Sequence, residues 1–239
     1  MSFLLDVARW FASPAHWQGA DGIPTRLGEH MLMSTAAILA AALIALPIGI
    51  LLGHYGRGGA VAINVSNIGR AIPSFAILVI AVQLVGIGAK PAFIALLALG
   101  APPILTNTYV GLREVNKDLR EAARGLGMTG GQVLRQVELP LAMPLIMSGI
   151  RTSAVQVVAT ATLAAAVAWG GLGRYIIDGF STRDNVQVFA GALLVGVVAT
   201  VVERALDRVQ KAVTPAGTRI AKKNVRRLEN QAPHGELAA

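Results

Sequence analysis

Charge-free apolar runs alternate with short polar segments along most of this chain. Residues 31–53 form a run of 23 positions without a charge. A second run, 61–88, carries Arg70 and is interrupted by Pro73; a third covers 91–112. A fourth covers 141–168, with Arg151 near its start, and a shorter fifth covers 186–202 and extends toward Leu206. A helix needs about 20 mainly apolar residues to cross the hydrocarbon core. The pattern therefore predicts an all-α integral membrane protein with five transmembrane helices. Ahead of them, "MSFLLDVARWFASPAHW" lacks the basic start of a signal peptide, and Asp6 and Arg9 interrupt its apolar stretch. Phe3, Leu4, Val7, Ala8, Trp10 and Phe11 fit one face of a short helix lying in the membrane interface.

Composition agrees with lipid as the main solvent. The chain is 54% hydrophobic and 14% charged, against about 25% charged in soluble domains. The net charge of +8 matters through its placement. Eight basic residues lie in the tail 204–227, five lie in 113–135, and Arg57 joins them, which makes fourteen on one predicted side; Arg9, Arg26, Lys90, Arg174 and Arg183 make five on the other. The positive-inside rule then puts the N-terminus outside and the C-terminus in the cytoplasm. Cysteine is absent and the four histidines form no ligand pair at helical spacing, so thiolate chemistry is excluded and no metal site is expected. No acidic residue occurs between His30 and Arg113, which leaves the first three spans without the carboxylates that ion-driven carriers use. A phosphate-cradling G-x-x-x-x-G-K-[ST] is also missing. Energy for any transport would come from another polypeptide.

Between the third and fourth runs sits a charged, glycine-rich insert ending in "EAARGLGMTGGQVLRQVELP". Its first part ends at Gly125, a helix stop, and Gly125-Leu126-Gly127 makes a sharp turn. Thr129 with Gln132 forms a capping-box pattern, and Pro140 begins the next span. The insert reads as a helix–turn–helix knob able to dock into a partner's groove. Glu121, Ala122, Ala123, Gly127, Val137, Leu139 and Pro140 hold the spacing E-A-A-x3-G-x9-[IV]-x-L-P. This resembles the EAA loop of ATP-binding-cassette (ABC) importer permeases.

The resemblance runs from about Arg26 to Asp207 through "HMLMSTAAILAAALIALPIGILLG", "RAIPSFAILV", "NTYVGLREV", "ELPLAMPLIMSGIRTS" and "ATLAAAVAWGGLGRYI". It is similar to permeases for glycine betaine, choline, carnitine and proline betaine; methionine permeases share the five-span plan. It implies a multi-pass subunit of the bacterial cytoplasmic membrane. Implied partners are an ABC ATPase pair that carries ATP-Mg, a second or paralogous permease, and an extracytoplasmic solute-binding protein. No cofactor on this chain and no nucleic acid are implied. Its parts would be an extracytoplasmic segment 1–29, a permease domain 30–206 containing the coupling loop 113–140, and a basic tail 207–239 free or bound to anionic lipid. The loop residues expected to couple to the ATPase are Glu121, Ala122, Ala123, Gly125, Gly127, Met128, Leu139 and Pro140.

Arg70 stands where the family often has glutamine, which fits one half of a heterodimer, with a homodimer left open. Arg70, Pro73 and Ser74 are candidates for the translocation path or gate, or for a packing kink with a snorkelling arginine. Pro102 and Pro103 are expected to kink the third span before Thr106, Asn107 and Tyr109, which either line the path or bond between helices. Gln156 has the same two readings. Arg151 is expected to snorkel or pair near the inner face. Trp169, Gly171, Gly173 and Tyr175 are candidates for the loop facing the binding protein, with Asp178 and Asp184 available to basic groups on it. Small residues at Ala36 and Ala40, and near Gly191 and Gly196, are expected to permit close helix packing. A stand-alone channel explains the spans but not the full EAA spacing. A membrane enzyme lacks any nucleophile–base pair here.

Overall fold

A computed structural model describes residues 2–214. In chain order the helices are α1 (Ser2–Ala12), α2 (Ile23–Tyr55), α3 (Gly59–Ala71), α4 (Ser74–Val85), α5 (Ala89–Arg113), α6 (Lys117–Gly125), α7 (Gly130–Val133), α8 (Leu139–Thr160), α9 (Gly173–Thr182) and α10 (Asn185–Val213). Short 3₁₀ segments follow α1 (Pro14–Trp17) and α8 (Ala161–Val167), and a π-helical turn, Leu134–Glu138, joins α7 to α8. Four continuous runs are long and apolar enough to cross a membrane: Ile23–Tyr55, Ala89–Arg113, Gly130–Val167 and Asn185–Val213. The expected second span is a pair, α3 and α4, bent by 87°. Proline disfavours helical backbone in the residue before it, and Ile72 is extended (φ −76°, ψ 123°). Pro102 and Pro103, by contrast, lie buried inside a continuous α5.

Helix α5 is the centre, with α2 and α8 against it and α3 and α4 beside it. These helices meet through small residues. On α2 the buried row is Ala37, Ala41, Ala45, Gly49 and Gly53, one position every turn. A β-carbon on Gly49 would lie 2.8 Å from Thr108 Cβ, and one on Gly53 would lie 2.7 Å from Leu112 Cβ. On the other side of α5, a β-carbon on Gly149 would come within 2.8 Å of the Pro103 carbonyl oxygen. Between helices in lipid, close backbone approach supplies the contact that lets them associate. The expected row at Ala36 and Ala40 is thus displaced by one residue, since Ala36 is exposed. Gly196 is also exposed, with open space around it, whereas Gly191 packs against Tyr175 and Ile176.

Polar links gather at two opposite ends. At one end Arg151 on α8 pairs with Asp207 on α10 at 2.9 Å, the pairing alternative of the two expected for it, and Gln210 donates to the Pro144 carbonyl at 2.9 Å. At the other end the Gly171 N–H donates to Glu29 at 2.7 Å, and α1 lies on α10 with Phe3 edge-on to Phe189. Val7 and Trp10 are the buried positions of α1, while Leu4 is 65% exposed. The single apolar face expected there therefore divides between protein and surroundings. Asp178 pairs with Arg174 at 2.8 Å, and Asp184 caps α10 by accepting from the N–H groups of Val186 and Gln187. Both carboxylates expected to serve a partner are used within the chain. The first part of the tail 207–239 continues α10 to Val213; beyond Thr214 it lies outside the described residues.

Replacing Gly149 by valine forces a side chain into that contact and should destabilise the protein by about 1–3 kcal/mol. Gly196→Ala, in open space on α10, should be neutral or gain up to about 1 kcal/mol. Thermal unfolding of both variants in detergent, with the first melting lower and the second not, checks the packing.

Candidate functional site

The helix–turn–helix insert is built by local bonding. Asn116 caps α6 by accepting from the Asp118 N–H at 2.6 Å. The helix closes with Leu126 N–H on the Ala122 carbonyl (3.0 Å) and Met128 N–H on that of Ala123 (3.2 Å). Gly127 turns the chain with φ +83°, a left-handed conformation open mainly to glycine. The capping box is present: Thr129 N–H donates to Gln132 Oε1 at 2.7 Å, and Gln132 N–H returns to Thr129 Oγ1 at 3.4 Å. Pro140 sits in the first turn of α8 and has no N–H to give. The π turn just before it is where the hydrogen-bond register changes.

Glu121, Ala122, Gly125 and Gly127 are exposed, Leu139, Pro140 and Met128 are half-buried, and Ala123 is buried. Leu126 at the tip is 85% exposed. With Leu119 and Ala122 it makes an apolar outer surface on an element that is not part of any span. The inner side of the insert closes over the helix ends: Val115 packs with Leu112, Ala142 and Ile146, and Leu134 and Leu139 lie against them.

A buried polar cluster beneath the insert was not expected from the sequence. Glu138, with no exposed surface, is 2.5 Å from His54 Nδ1 through one oxygen and 3.2 Å from Arg120 Nε through the other. Arg120 is also buried and donates through Nη2 to the Leu112 carbonyl. No sequence spacing marks a pair 84 residues apart. The available signal was weak: a glutamate directly before Leu139-Pro140 and an arginine directly before Glu121.

The path candidates divide. Arg70 lies in the last turn of α3, and Pro73 and Ser74 lie at the bend, with Pro73 exposed and Ser74 half-buried. The bend is at the mid-depth of α5, because a β-carbon on Gly69 would lie 3.3 Å from Pro102. Asn107 donates to the Pro103 carbonyl of its own helix at 2.8 Å, and Tyr109 lies over Gly59 with no room for a side chain there. Gln156 is half-buried on α8. The structure brings Pro73 and Ser74 together and gives Asn107 and Tyr109 contacts within and between helices. Among the described residues no group of three or more His, Asp or Glu side chains is placed to hold a metal.

At the opposite end Gly171, Gly173 and Tyr175 are buried and Trp169 is half-buried. Gly173 stands within 2.7 Å of the Thr162 backbone by its would-be β-carbon, which explains the glycine. Tyr175 donates to the Asp21 carbonyl at 2.6 Å. These residues hold the loop to the start of α2; its exposed members include Phe180 and Thr182. Burial raises the Tyr175 phenol from 10.0 to about 12; Arg26 opposes this, and Asp21 and Glu29 add to it. An unfolded chain ionises first, so this contribution to stability is whole below pH 10 and is lost as pH rises to about 12. Tyr175→Phe should remove that part of the fall in melting temperature across this window. It should also cost about 0.5–1.5 kcal/mol by removing the hydrogen bond to the Asp21 carbonyl.

Comparison with known proteins agrees with this architecture. Residues 45–215 match the family described as binding-protein-dependent transport system inner membrane component. The chain is 40% identical to the glycine betaine/carnitine/choline transport system permease protein OpuCB of Bacillus subtilis, over 80% of this chain and 88% of that one. It is 41% identical to the choline transport system permease protein OpuBB of the same organism, over 79% and 87%. Among solved structures, an inward-facing form of the MetNI methionine ABC transporter superposes with a TM-score of 0.69 at 26% identity, covering 80% of this chain and 95% of that chain. With several apolar crossing helices and a folded EAA loop on that scaffold, this chain belongs to the family of binding-protein-dependent transport system inner membrane components, the permease subunits of ABC importers.

Proposed function

We propose that this chain is the permease subunit of an ATP-driven importer of compatible solutes of the glycine betaine, choline, carnitine or proline betaine class. The observation that carries the reading is the EAA insert. It is capped at both helix starts, turned at Gly127 and tipped by an 85%-exposed leucine, in a chain whose relatives are named as permeases for those solutes.

In this reading the insert and the end of α10 face the cytoplasm, where the basic residues concentrate, and α1 and α9 face outward. The outer surface formed by Leu119, Glu121, Ala122 and Leu126 seats in an ATPase subunit. ATP-Mg is held there and not by this chain. Closure of the ATPase pair moves the insert, and through Leu139 and Pro140 it moves α8. The bend between α3 and α4 is the gate region. Ile72 and Phe75 are 41% and 54% exposed there, and a second permease, identical or paralogous, covers them. The solute is selected by an extracytoplasmic binding protein. The spans carry few aromatic side chains, and quaternary ammonium groups are recognised by aromatic cages.

Vesicles holding this chain with its ATPase, sister permease and binding protein should take up labelled glycine betaine or choline only with ATP inside. Gly127→Val places a β-branched side chain in a left-handed turn at about 1–2 kcal/mol. It should lower uptake by about 5–30-fold while the chain remains in the membrane. Uptake of methionine instead would move the chain to the methionine branch. Equal uptake without ATP would favour a channel.

A further inference from the structure

The buried Glu138 cluster joins four elements at one carboxylate. His54 is in the last turn of α2, Arg120 is on α6, Leu112 is in the last turn of α5, and Glu138 ends the π turn at the head of α8. The second ring nitrogen of His54 is also 3.7 Å from the would-be β-carbon of Gly130, at the start of α7. We propose that Glu138, clasped by His54 and Arg120, is the positioning residue through which displacement of the coupling insert reaches α2 and α5 as well as α8. This rests on the import reading above.

Covalently, α6 is held to α5 only by residues 114–116 and to α7 only by the turn at Gly127. A helix on two such links swings when its outer face is pushed. The apolar contacts of Val115 and Ala123 oppose this weakly, because apolar contact is non-directional. The hydrogen bonds of the clasp, His54 with Glu138 and Arg120 with the Leu112 carbonyl, are directional, and the Arg120–Glu138 charge contact closes it. Arg120 is adjacent to Glu121 but points inward, so the docking surface and the anchor are opposite faces of one short helix. A push on Ala122 or Leu126 is delivered at Arg120 to the end of α5 and, through Glu138, to the end of α2. Close packing of Gly53 on Leu112 keeps those two ends together.

Stability alone is a poor reason for this arrangement. A buried ion pair is often no more stabilising than apolar side chains of the same volume, though losing one partner is damaging. Three apolar residues would serve a filler role. The carboxylate instead fixes the register of α6 against the spans.

The chain has no cysteine, so spin labels at Lys117→Cys on α6 and Leu51→Cys on α2, both exposed, report the distance across the clasp. In the complete importer in nanodiscs, that distance should be single, narrow and the same with and without trapped ATP, because the elements move together. Glu138→Gln should broaden it, make it differ between the two states and lower ATP-dependent uptake by about 2- to 30-fold, with the ATPase subunits still co-purifying. Where that variant folds poorly, the triple variant His54→Leu, Arg120→Met, Glu138→Leu refills the space. It should keep the melting temperature and still lose uptake. Normal uptake by Glu138→Gln, or uptake restored by the triple variant, would overturn the proposal by showing filler alone. A narrow, state-independent distance in the unsubstituted clasp with no solute uptake at all would instead overturn the import reading and leave the clasp supported.

Discussion

Backbone contact among α2, α5 and α8 is the constraint from which the remaining geometry follows. In hydrocarbon a leucine gains little by exchanging lipid for another helix, so the association depends on how closely the chains approach. Glycine and alanine occupy the points of closest approach: Gly49 and Gly53 on one side of α5, Gly149 on the other. Once those contacts are made, the helix ends have no freedom to slide. Gly53 against Leu112 brings His54 beside the segment that carries Glu138, and α8 enters beneath the insert at a fixed angle. The polar chemistry at that end inherits its positions from a row of residues with almost no side chain.

Much of this was legible in the sequence, and what was not has identifiable causes. The apolar runs, the capping box of Thr129 and Gln132, the sharp turn ending at Gly127 and the break at Pro73 depend on neighbours a few residues away, so sequence order carries them. The small-residue row of α2 was read with the right step but displaced by one position. A helix that is apolar all round has no polar face to show which side is turned inward. The cluster of His54, Arg120 and Glu138 was missed because its members meet only after four helices have packed. Gly171 and Tyr175 looked like surface because glycine and aromatic residues near a span end usually are; here the segment before α2 folds over them. Asp178 and Asp184 were matched to outside partners when a neighbouring arginine and a helix start already used them.

The two ends of the molecule are secured by different chemistry. Among the described residues the α9 end has only local ion pairs, such as Arg174 with Asp178, and is tied across the chain by bonds to backbone groups, Tyr175 on the Asp21 carbonyl and Glu29 on the Gly171 N–H. The insert end relies on charged or polar side chains joining helices far apart in the chain, such as Arg151 with Asp207 and His54 with Glu138. Bonds to backbone fix a loop in one place. Ion pairs between helices bind rigid bodies to one another, which suits the end proposed above to seat in the ATPase.

The bend at Ile72 and Pro73 has a consequence for the life of the subunit in the cell. Pro73 offers no N–H to the carbonyl of Gly69, and Gly69 lies beside Pro102, near the midpoint of α5. Lipid cannot satisfy such a group. On the import reading, a second permease lies over this break and closes it. In that arrangement a paired copy suits the bilayer better than an unpaired one, and the solvent itself favours pairing.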